Sequence, residues 1–234
     1  MDPRRQPIYL ERDGLSNAMV NLSIETPFNQ VHLINKILEN NDHVATSEPL
    51  QKVIKTQKHP ITKENKELYF LANSDYRMLI TDDAISFNFV RQYPLWSNYL
   101  PFIMSCLEIL DGDIRVMDIT LRYVSEFEDI SIFKQLDGSI ELQYLPLFDG
   151  SEFTFRYGLK EIIDGTEFEG GAIVKLTDKM LTPKGNISVA DITVMGKVQE
   201  NVGSYLNFLH NHERDLFFRI FKKEFFVSLG AHYE

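Results

Sequence analysis

The beginning of the chain places an apolar residue at every second position. The apolar positions of this stretch are Ala18, Val20, Leu22 and Ile24. A period of two predicts a strand that buries one face. Thr26-Pro27 then predicts the start of a helix, with Thr26 as the N-cap and Pro27 at the first helical position. We expect this helix to end at Asn40-Asn41-Asp42.

Three further strands are predicted before the middle of the chain, at about 67–72, 76–81 and 84–90. Short runs of Asn, Ser and Asp separate them, and these residues are typical of turns. A second helix is predicted to begin at Tyr93-Pro94, to present a wide apolar face, and to end near Leu110.

The second half of the chain restates this order. A strand at about 114–127 precedes a short helix at about 128–136. Four more strands are predicted at about 139–148, 151–163, 171–181 and 187–198, and a last helix at about 200–228. In each half, a sheet with one buried face and helices to cover it is predicted, which places the protein in the α+β class.

Two pairs of segments resemble each other within the chain. Trp96–Ile103 is similar to Val202–Leu209, which lies 106 positions later. Leu22–Ile34 is loosely similar to Leu121–Phe133, which lies 99 positions later. Two segments that recur in the same order at nearly one offset indicate duplication of a unit of roughly 100 residues.

We therefore predict two pseudo-repeated halves, 1–112 and 113–234, or one continuous domain built from them. Each half has the order strand, helix, three or four strands, helix, with an antiparallel sheet covered on one face. The second half resembles TATA-binding-protein-like and helix-grip domains in this order, and the first half does so if a strand lies within 50–57. The likeness concerns topology alone and does not define a function.

Composition narrows the class of protein. The 234 residues are 44% hydrophobic and 25% charged, with a formal net charge of -10. A negative field of this size repels nucleic-acid phosphate unless a basic patch offsets it. The single cysteine, Cys106, excludes an internal disulfide and a zinc site built on several cysteines. Neither a membrane-spanning apolar run nor a secretory signal is recognisable, so we expect a cytoplasmic protein without a membrane partner.

The strongest candidate site is a pair of arginines in predicted strands. Leu121-Arg122-Tyr123 and Phe155-Arg156-Tyr157 each place an arginine between apolar neighbours, and Thr120 and Thr154 lie two residues before them. Alternation directs both arginines to the sheet face opposite the helices. If the two strands are neighbours, Arg122 and Arg156 form a clamp for an anion. The alternative is a pair of exposed or salt-bridged arginines, with Asp118 as the nearest partner.

Other candidates carry less chemistry. His210-Asn211-His212-Glu213 lacks the i, i+4 spacing of a two-histidine helical site, so its histidines face different ways and one of them borders the core. Cys106 lies on an apolar helix face and is expected to be a buried thiol. The acidic clusters fall at turns, where Asp and Glu are common. We predict neither a metal, nor a cofactor, nor catalytic residues.

One segment, 51–66, is rich in lysine and hard to assign. Its lysines are Lys52, Lys55, Lys58, Lys63 and Lys66. Leu50, Val53 and Ile54 are compatible with a short strand or a helical turn. A solvated surface loop is the favoured interpretation, and a phosphate-binding patch is the alternative.

Several short motifs resemble a sporadically distributed family of bacterial proteins of about this length and uncharacterised function. They are Tyr93-Pro94-Leu95-Trp96, Leu121-Arg122-Tyr123 and the segment Leu209–Glu213, together with an opening strand at Leu15–Ile24. Ser125 stands where the family usually has Asn. The resemblance spans most of the chain but implies no activity, cofactor or catalytic residue.

Three functional hypotheses follow. The leading one is a non-enzymatic binding or protein-interaction protein that uses the sheet face of Arg122 and Arg156 or a cleft between the halves. The alternative is a helix-grip-type small-molecule-binding protein or hydrolase, with a cavity of ~300 Å³ or more, lined by Tyr and Phe, between a long helix and its sheet. Nucleic-acid binding would need a basic stripe from Lys52–Lys66 with both arginines, and the acidic balance argues against it. The expected partner is a protein or a small anionic or apolar ligand, and the expected state is a monomer or homodimer.

Overall fold

A computed structural model describes residues 7, 9–10, 14–25, 29–58, 65–91, 93–137, 152–163, 166–183, 185–198 and 201–232. The strands are β1 (Tyr9–Leu10), β2 (Leu15–Ile24), β3 (Gln51–Lys58), β4 (Asn65–Ala72), β5 (Tyr76–Ile80), β6 (Ala84–Phe89), β7 (Val116–Glu128), β8 (Glu152–Ile163), β9 (Thr166–Thr182), β10 (Gly185–Lys197) and β11 (Ala231–His232). The helices are α1 (Gln30–Glu39), α2 (Trp96–Ile109), α3 (Val202–Ile220) and α4 (Lys223–Ser228), and single 3-10 turns occupy Asn41–His43 and Ile132–Gln135.

Nine of the described strands form one antiparallel sheet, which confirms the predicted α+β class. Their order is β3-β4-β5-β6-β2-β7-β10-β9-β8. From β2 outward the order is β6, β5, β4, β3, and from β7 outward it is β10, β9, β8. The two short strands β1 and β11 pair with each other in a separate sheet.

The described chain separates into two compact units. Unit 1 consists of Met1–Asn17, Arg122–Val194 and Phe208–Glu234, and unit 2 consists of Ala18–Leu121 and Met195–Asn207. Each unit therefore takes segments from both predicted halves, 1–112 and 113–234. The boundaries fall inside β2, β7, β10 and α3, so these elements continue from one unit into the other.

The core of unit 2 is aromatic where α2 covers the sheet. Phe102 of α2 stacks on Tyr76 of β5 with ring centroids 4.1 Å apart, and it meets the edge of Phe87 at 5.7 Å. These rings and the apolar side of β2 are buried, and such rings supply the largest apolar areas of a core. The alternation that predicted β2, β5 and β6 thus reflects one buried face.

The core of unit 1 is rich in phenylalanine. Phe127 of β7 contacts Phe225 of α4 at 5.2 Å between centroids, and Phe221 lies 5.2 Å from Phe225. Val174 of β9 and Ile192 of β10 are buried in the same cluster. The C-terminal part of the chain therefore covers one side of these strands.

The four predicted helices have different bounds in the structure. The first begins at Gln30, after the N-cap Asn29, whose side chain accepts the His32 N–H at 3.0 Å, and the predicted Thr26-Pro27 start lies outside the described residues. The second begins at Trp96 instead of Tyr93-Pro94. The predicted helix at 128–136 is only a 3-10 turn at Ile132–Gln135. The last predicted helix, 200–228, is two helices, because Phe221 forms a β-bridge with Leu136 between them.

The lysine-rich segment differs most from its prediction. The favoured surface loop over 51–66 is wrong for 51–58, whereas the alternative of a strand within 50–57 is confirmed. Gln51–Lys58 forms β3 and pairs with β4 from Gln51–Ala72 to Lys58–Asn65. Residues 51–55 are all exposed, so the strand shows no apolar alternation that a period-two pattern would detect. The predicted strand at 139–148 lies outside the described residues.

Candidate functional site

Unit 2 contains an open groove of about 510 Å³, here called the Met104 groove. It is formed by the C-terminal half of α2, the start of β7, the end of β10 and the first turn of α3. Its lining residues are Met104, Leu107, Glu108, Asp111, Ile114, Arg115, Val116, Met117, Val198 and Val202. Seven of these ten side chains are apolar and three are charged, so the groove suits a ligand with an apolar body.

Local interactions place the walls of the groove. The Val198 N–H donates to the Met117 carbonyl at 2.9 Å and holds the end of β10 against β7. The Asn201 side chain accepts the Ser204 N–H at 3.0 Å and caps the start of α3. Both interactions fix backbone on either side of Val202, which lies in the first turn of α3.

The first turn of α3 lies directly against Met104. A Cβ atom at Gly203 would meet the Met104 Cε at 3.3 Å, a closer approach than most side chains tolerate. The absence of a side chain at Gly203 therefore lets the helix approach the thioether. Met104 is half-buried and unbranched, and such side chains adapt their shape to a bound partner.

The charged residues of the groove are exposed. Glu108, Asp111 and Arg115 all lie at the solvent side. The Arg115 Nη1 is 3.4 Å from the Glu25 Oε2, and the two side chains are 74% and 53% exposed. An ion pair this exposed contributes little free energy, so the guanidinium can exchange Glu25 for a charged group of a ligand.

The groove differs from the cavity that the sequence predicted. The expected lining was Tyr and Phe, whereas the observed lining consists of aliphatic, thioether and charged side chains. Sequence reasoning missed these residues because they come from separate segments, in which the apolar ones read as core positions and the charged ones as surface positions. Of the groove residues, only Val202 falls within the similar segments Trp96–Ile103 and Val202–Leu209, which begin α2 and α3.

Arg122, one of the predicted site residues, is engaged in an ion pair within unit 1. Its Nε donates to the Asp191 Oδ1 at 3.0 Å and its Nη2 to the Asp191 Oδ2 at 2.7 Å. The hydrogen bond to Asp191 raises the pKa of Arg122. The partner is thus Asp191 of β10, and not the Asp118 suggested by sequence proximity. Thr120 precedes it on β7 and is half-buried.

Arg156 and Thr154 lie on β8 and are exposed. The strand order places β10 and β9 between β7 and β8, so Arg122 and Arg156 do not lie on neighbouring strands as the anion clamp requires. Arg156 makes no ion pair with a described residue. A role in ligand binding for Arg122, Arg156, Thr120 or Thr154 stays a prediction.

A polar pair, with Tyr123 buried and His210 half-buried, lies between α3 and β7 in unit 1. The Tyr123 hydroxyl is 3.0 Å from the His210 Nδ1. Burial, together with the positive charge of Arg214, lowers the pKa of His210 to about 4, so the imidazole is neutral at pH 7. Arg214 itself donates to the Pro7 carbonyl at 2.7 Å. The contact between His210 and Tyr123 holds α3 against β7.

His210 and His212 face different ways, as the spacing predicted. The His212 Nε2 is 3.4 Å from the Glu161 Oε2 of β8, whereas His210 contacts Tyr123 of β7. Within the described ranges, no group of three His, Cys, Asp or Glu side chains is arranged to hold a metal ion. Cys106 is completely buried and burial raises the pKa of its thiol, as the apolar helix face predicted.

Comparison with known proteins does not indicate a function. No protein-family model matches the chain, and no curated protein matches its sequence significantly. Among the helices that the structure describes, none is long and apolar enough to cross a membrane. The function is therefore inferred from the geometry of the described sites.

Proposed function

We propose that the protein is a non-enzymatic binding protein that takes a small amphipathic ligand into the Met104 groove. The observation that carries the proposal is an open groove of about 510 Å³, lined by seven apolar and three charged side chains. Sites for small molecules are typically concave, mostly apolar and roughly 300–1,000 Å³ in volume, with a few polar groups that orient the ligand.

The expected affinity for a simple amphiphile is low. Burying about eight methylene groups of a ligand contributes roughly 6 kcal/mol, and association costs at least about 4 kcal/mol. The remainder of about 2 kcal/mol corresponds to a dissociation constant of roughly 30 mM. A probe with a longer chain and an aromatic group buries more apolar area, at about 0.8 kcal/mol for each methylene group, so we expect it to bind at about 100 µM or below. Charged contacts at Glu108, Asp111 or Arg115 add specificity for the head group.

The direct test is a fluorescence titration with two probes of equal chain length, dansyl-undecanoic acid and dansyl-undecylamine. Val202→Trp fills the groove from the first turn of α3 and should weaken binding of the preferred probe by about tenfold or more. Val227→Trp, on an exposed position of α4 in unit 1, is the matched control and should leave binding unchanged. Equal affinities of both variants, or failure of the wild-type protein to bind either probe below about 100 µM, would contradict the proposal.

Substitution of the charged residues of the groove shows which charge the ligand head group carries. Arg115→Ala should weaken an anionic probe, and Glu108→Ala should weaken a cationic one, each by about fivefold or less because both side chains are exposed. Equal behaviour of both probes in both variants would show that these charged residues have no part in recognition.

We also propose that the chain arose by duplication of one unit of strand, helical turn, strands and helix. The order outward from β2 and from β7 supports this, since β6, β5 and β4 correspond to β10, β9 and β8. The similar segments support it too, because Trp96 begins α2 and Val202 begins α3. An experimental structure in which residues 15–109 and 116–220 cannot be superposed strand for strand would contradict this origin.

A further inference from the structure

Strand β3 ends the nine-stranded order, and no described strand pairs with its outer side. The first five residues of β3, 51–55, are all exposed, and two of them are β-branched: Val53 and Ile54 are 38% and 53% exposed. An edge of this kind presents backbone donors and acceptors to any extended segment that approaches it.

The edge is basic in an otherwise acidic protein. The sequences of β3 and β4 carry four lysines and one glutamate, a net charge of +3, whereas the whole chain has a net charge of -10. This local reversal of sign attracts an acidic partner. It also repels a second copy of the same edge, because lysines would then face lysines.

Aromatic rings of β4 hold two of the lysines in place, one on each face of the sheet. The Lys52 Nζ is 5.1 Å from the centroid of the Tyr69 ring, and the Lys55 Nζ is 5.6 Å from the centroid of the Phe70 ring. Val53 is paired with Phe70 and Ile54 with Tyr69, so each face presents one lysine beside one exposed β-branched side chain. Cation–π contact at this distance orders the ammonium groups at the edge.

We propose that the outer edge of β3 binds an extended acidic peptide segment of another protein, which adds to the sheet as a further strand. Backbone hydrogen bonds to the edge supply affinity, and acidic side chains opposite Lys52 and Lys55 supply selectivity. The exposed side chains of Val53 and Ile54 give the added strand one apolar contact on each face.

The test uses fluorescence anisotropy with a labelled short peptide of glutamate, valine and threonine, which is acidic and favours an extended backbone. Lys52→Glu/Lys55→Glu should weaken binding by about tenfold or more, because attraction at two positions becomes repulsion. The matched control is Arg91→Glu/Lys197→Glu, two exposed cations of unit 2 away from the edge, and should change the affinity by about twofold or less.

Two further probes separate strand addition from attraction of any polyanion. A copy of the peptide with alternate N-methylated amides keeps its charge but loses backbone donors, and it should bind about tenfold more weakly or not at all. A single-stranded oligothymidylate of equal net charge should also bind more weakly than the unmodified peptide. Equal binding of the methylated peptide, tighter binding of the oligonucleotide, or no binding of the peptide would overturn the proposal. The Val202→Trp variant should bind the peptide normally, so this result is independent of the Met104 groove.

Discussion

His210 should make the stability of the protein depend on pH between about 6.5 and about 4. Its imidazole is half-buried and packs against Tyr123, with the Nδ1 3.0 Å from the phenol oxygen, and its pKa is lowered to about 4. In the unfolded chain the ordinary value is about 6.5. The unfolded state therefore binds a proton in this range that the folded state does not bind, so stability is complete above pH 6.5 and falls as the pH falls.

The size of the effect follows from the shift. A difference of roughly 2.5 pKa units corresponds to about 3 kcal/mol between pH 7 and pH 4, at about 1.4 kcal/mol for each unit. Carboxylates also titrate at the acidic end of this range, so the wild-type slope alone does not isolate the histidine. The His210→Gln variant removes the titrating group and keeps a polar side chain beside Tyr123.

The assay is urea denaturation, followed by circular dichroism, at several pH values from 7.5 to 4.5. The unfolding free energy of the wild type, minus that of His210→Gln, should decrease by about 2–3 kcal/mol as the pH falls. His43→Gln, at an exposed histidine, is the matched control for the replacement of a histidine by glutamine. An unchanged difference between wild type and His210→Gln across the range would refute the assignment of a neutral, half-buried imidazole.

Three backbone positions allow further tests by denaturation. Gly14→Ala should destabilise the protein by about 2–3 kcal/mol, because its Cβ would lie 2.5 Å from the Glu126 carbonyl and 2.9 Å from the Phe127 ring. Gly158→Ala, where no atom lies within 4 Å of the added carbon, should be neutral or slightly stabilising, and similar losses for both variants would contradict this account. Leu95→Gly should stabilise by about 1 kcal/mol, because Leu95 has a φ of 63° and is mostly exposed, and a loss of stability would show that its side chain matters more than the strain.

The sequence predicted best the strands that bury one face. β5 and β6 have nearly the predicted bounds, because Met78 and Phe87 alternate with less buried neighbours. For β3 a surface loop was favoured over a strand, because residues 51–55 are all exposed and show no apolar period, and only the order of elements in the second half pointed to a strand there. The interruption of the last helix was also missed, since the bridge between Phe221 and Leu136 joins residues 85 positions apart.

The candidate sites were less predictable than the fold. The ion pair of Arg122 and the Met104 groove each depend on contacts between segments that are distant in the sequence. Arg122 was singled out, but its carboxylate partner is Asp191, 69 residues away on β10, and the nearby Asp118 was the only partner that sequence could suggest. The Met104 groove joins the end of α2 to the start of α3, which no local pattern relates. Periodicity shows which face of an element is buried but not which residues of other elements it meets.

The most direct test of the proposed function is the methyl NMR spectrum of the protein labelled at its seven methionines. On titration with the preferred dansyl probe, the methyl signals of Met104 and Met117 should shift, because both side chains line the groove. Met78, buried in the core of unit 2, and Met180, exposed in unit 1, should stay unchanged. Shifts at Met180 with none at Met104 or Met117 would place binding elsewhere and contradict the proposed function.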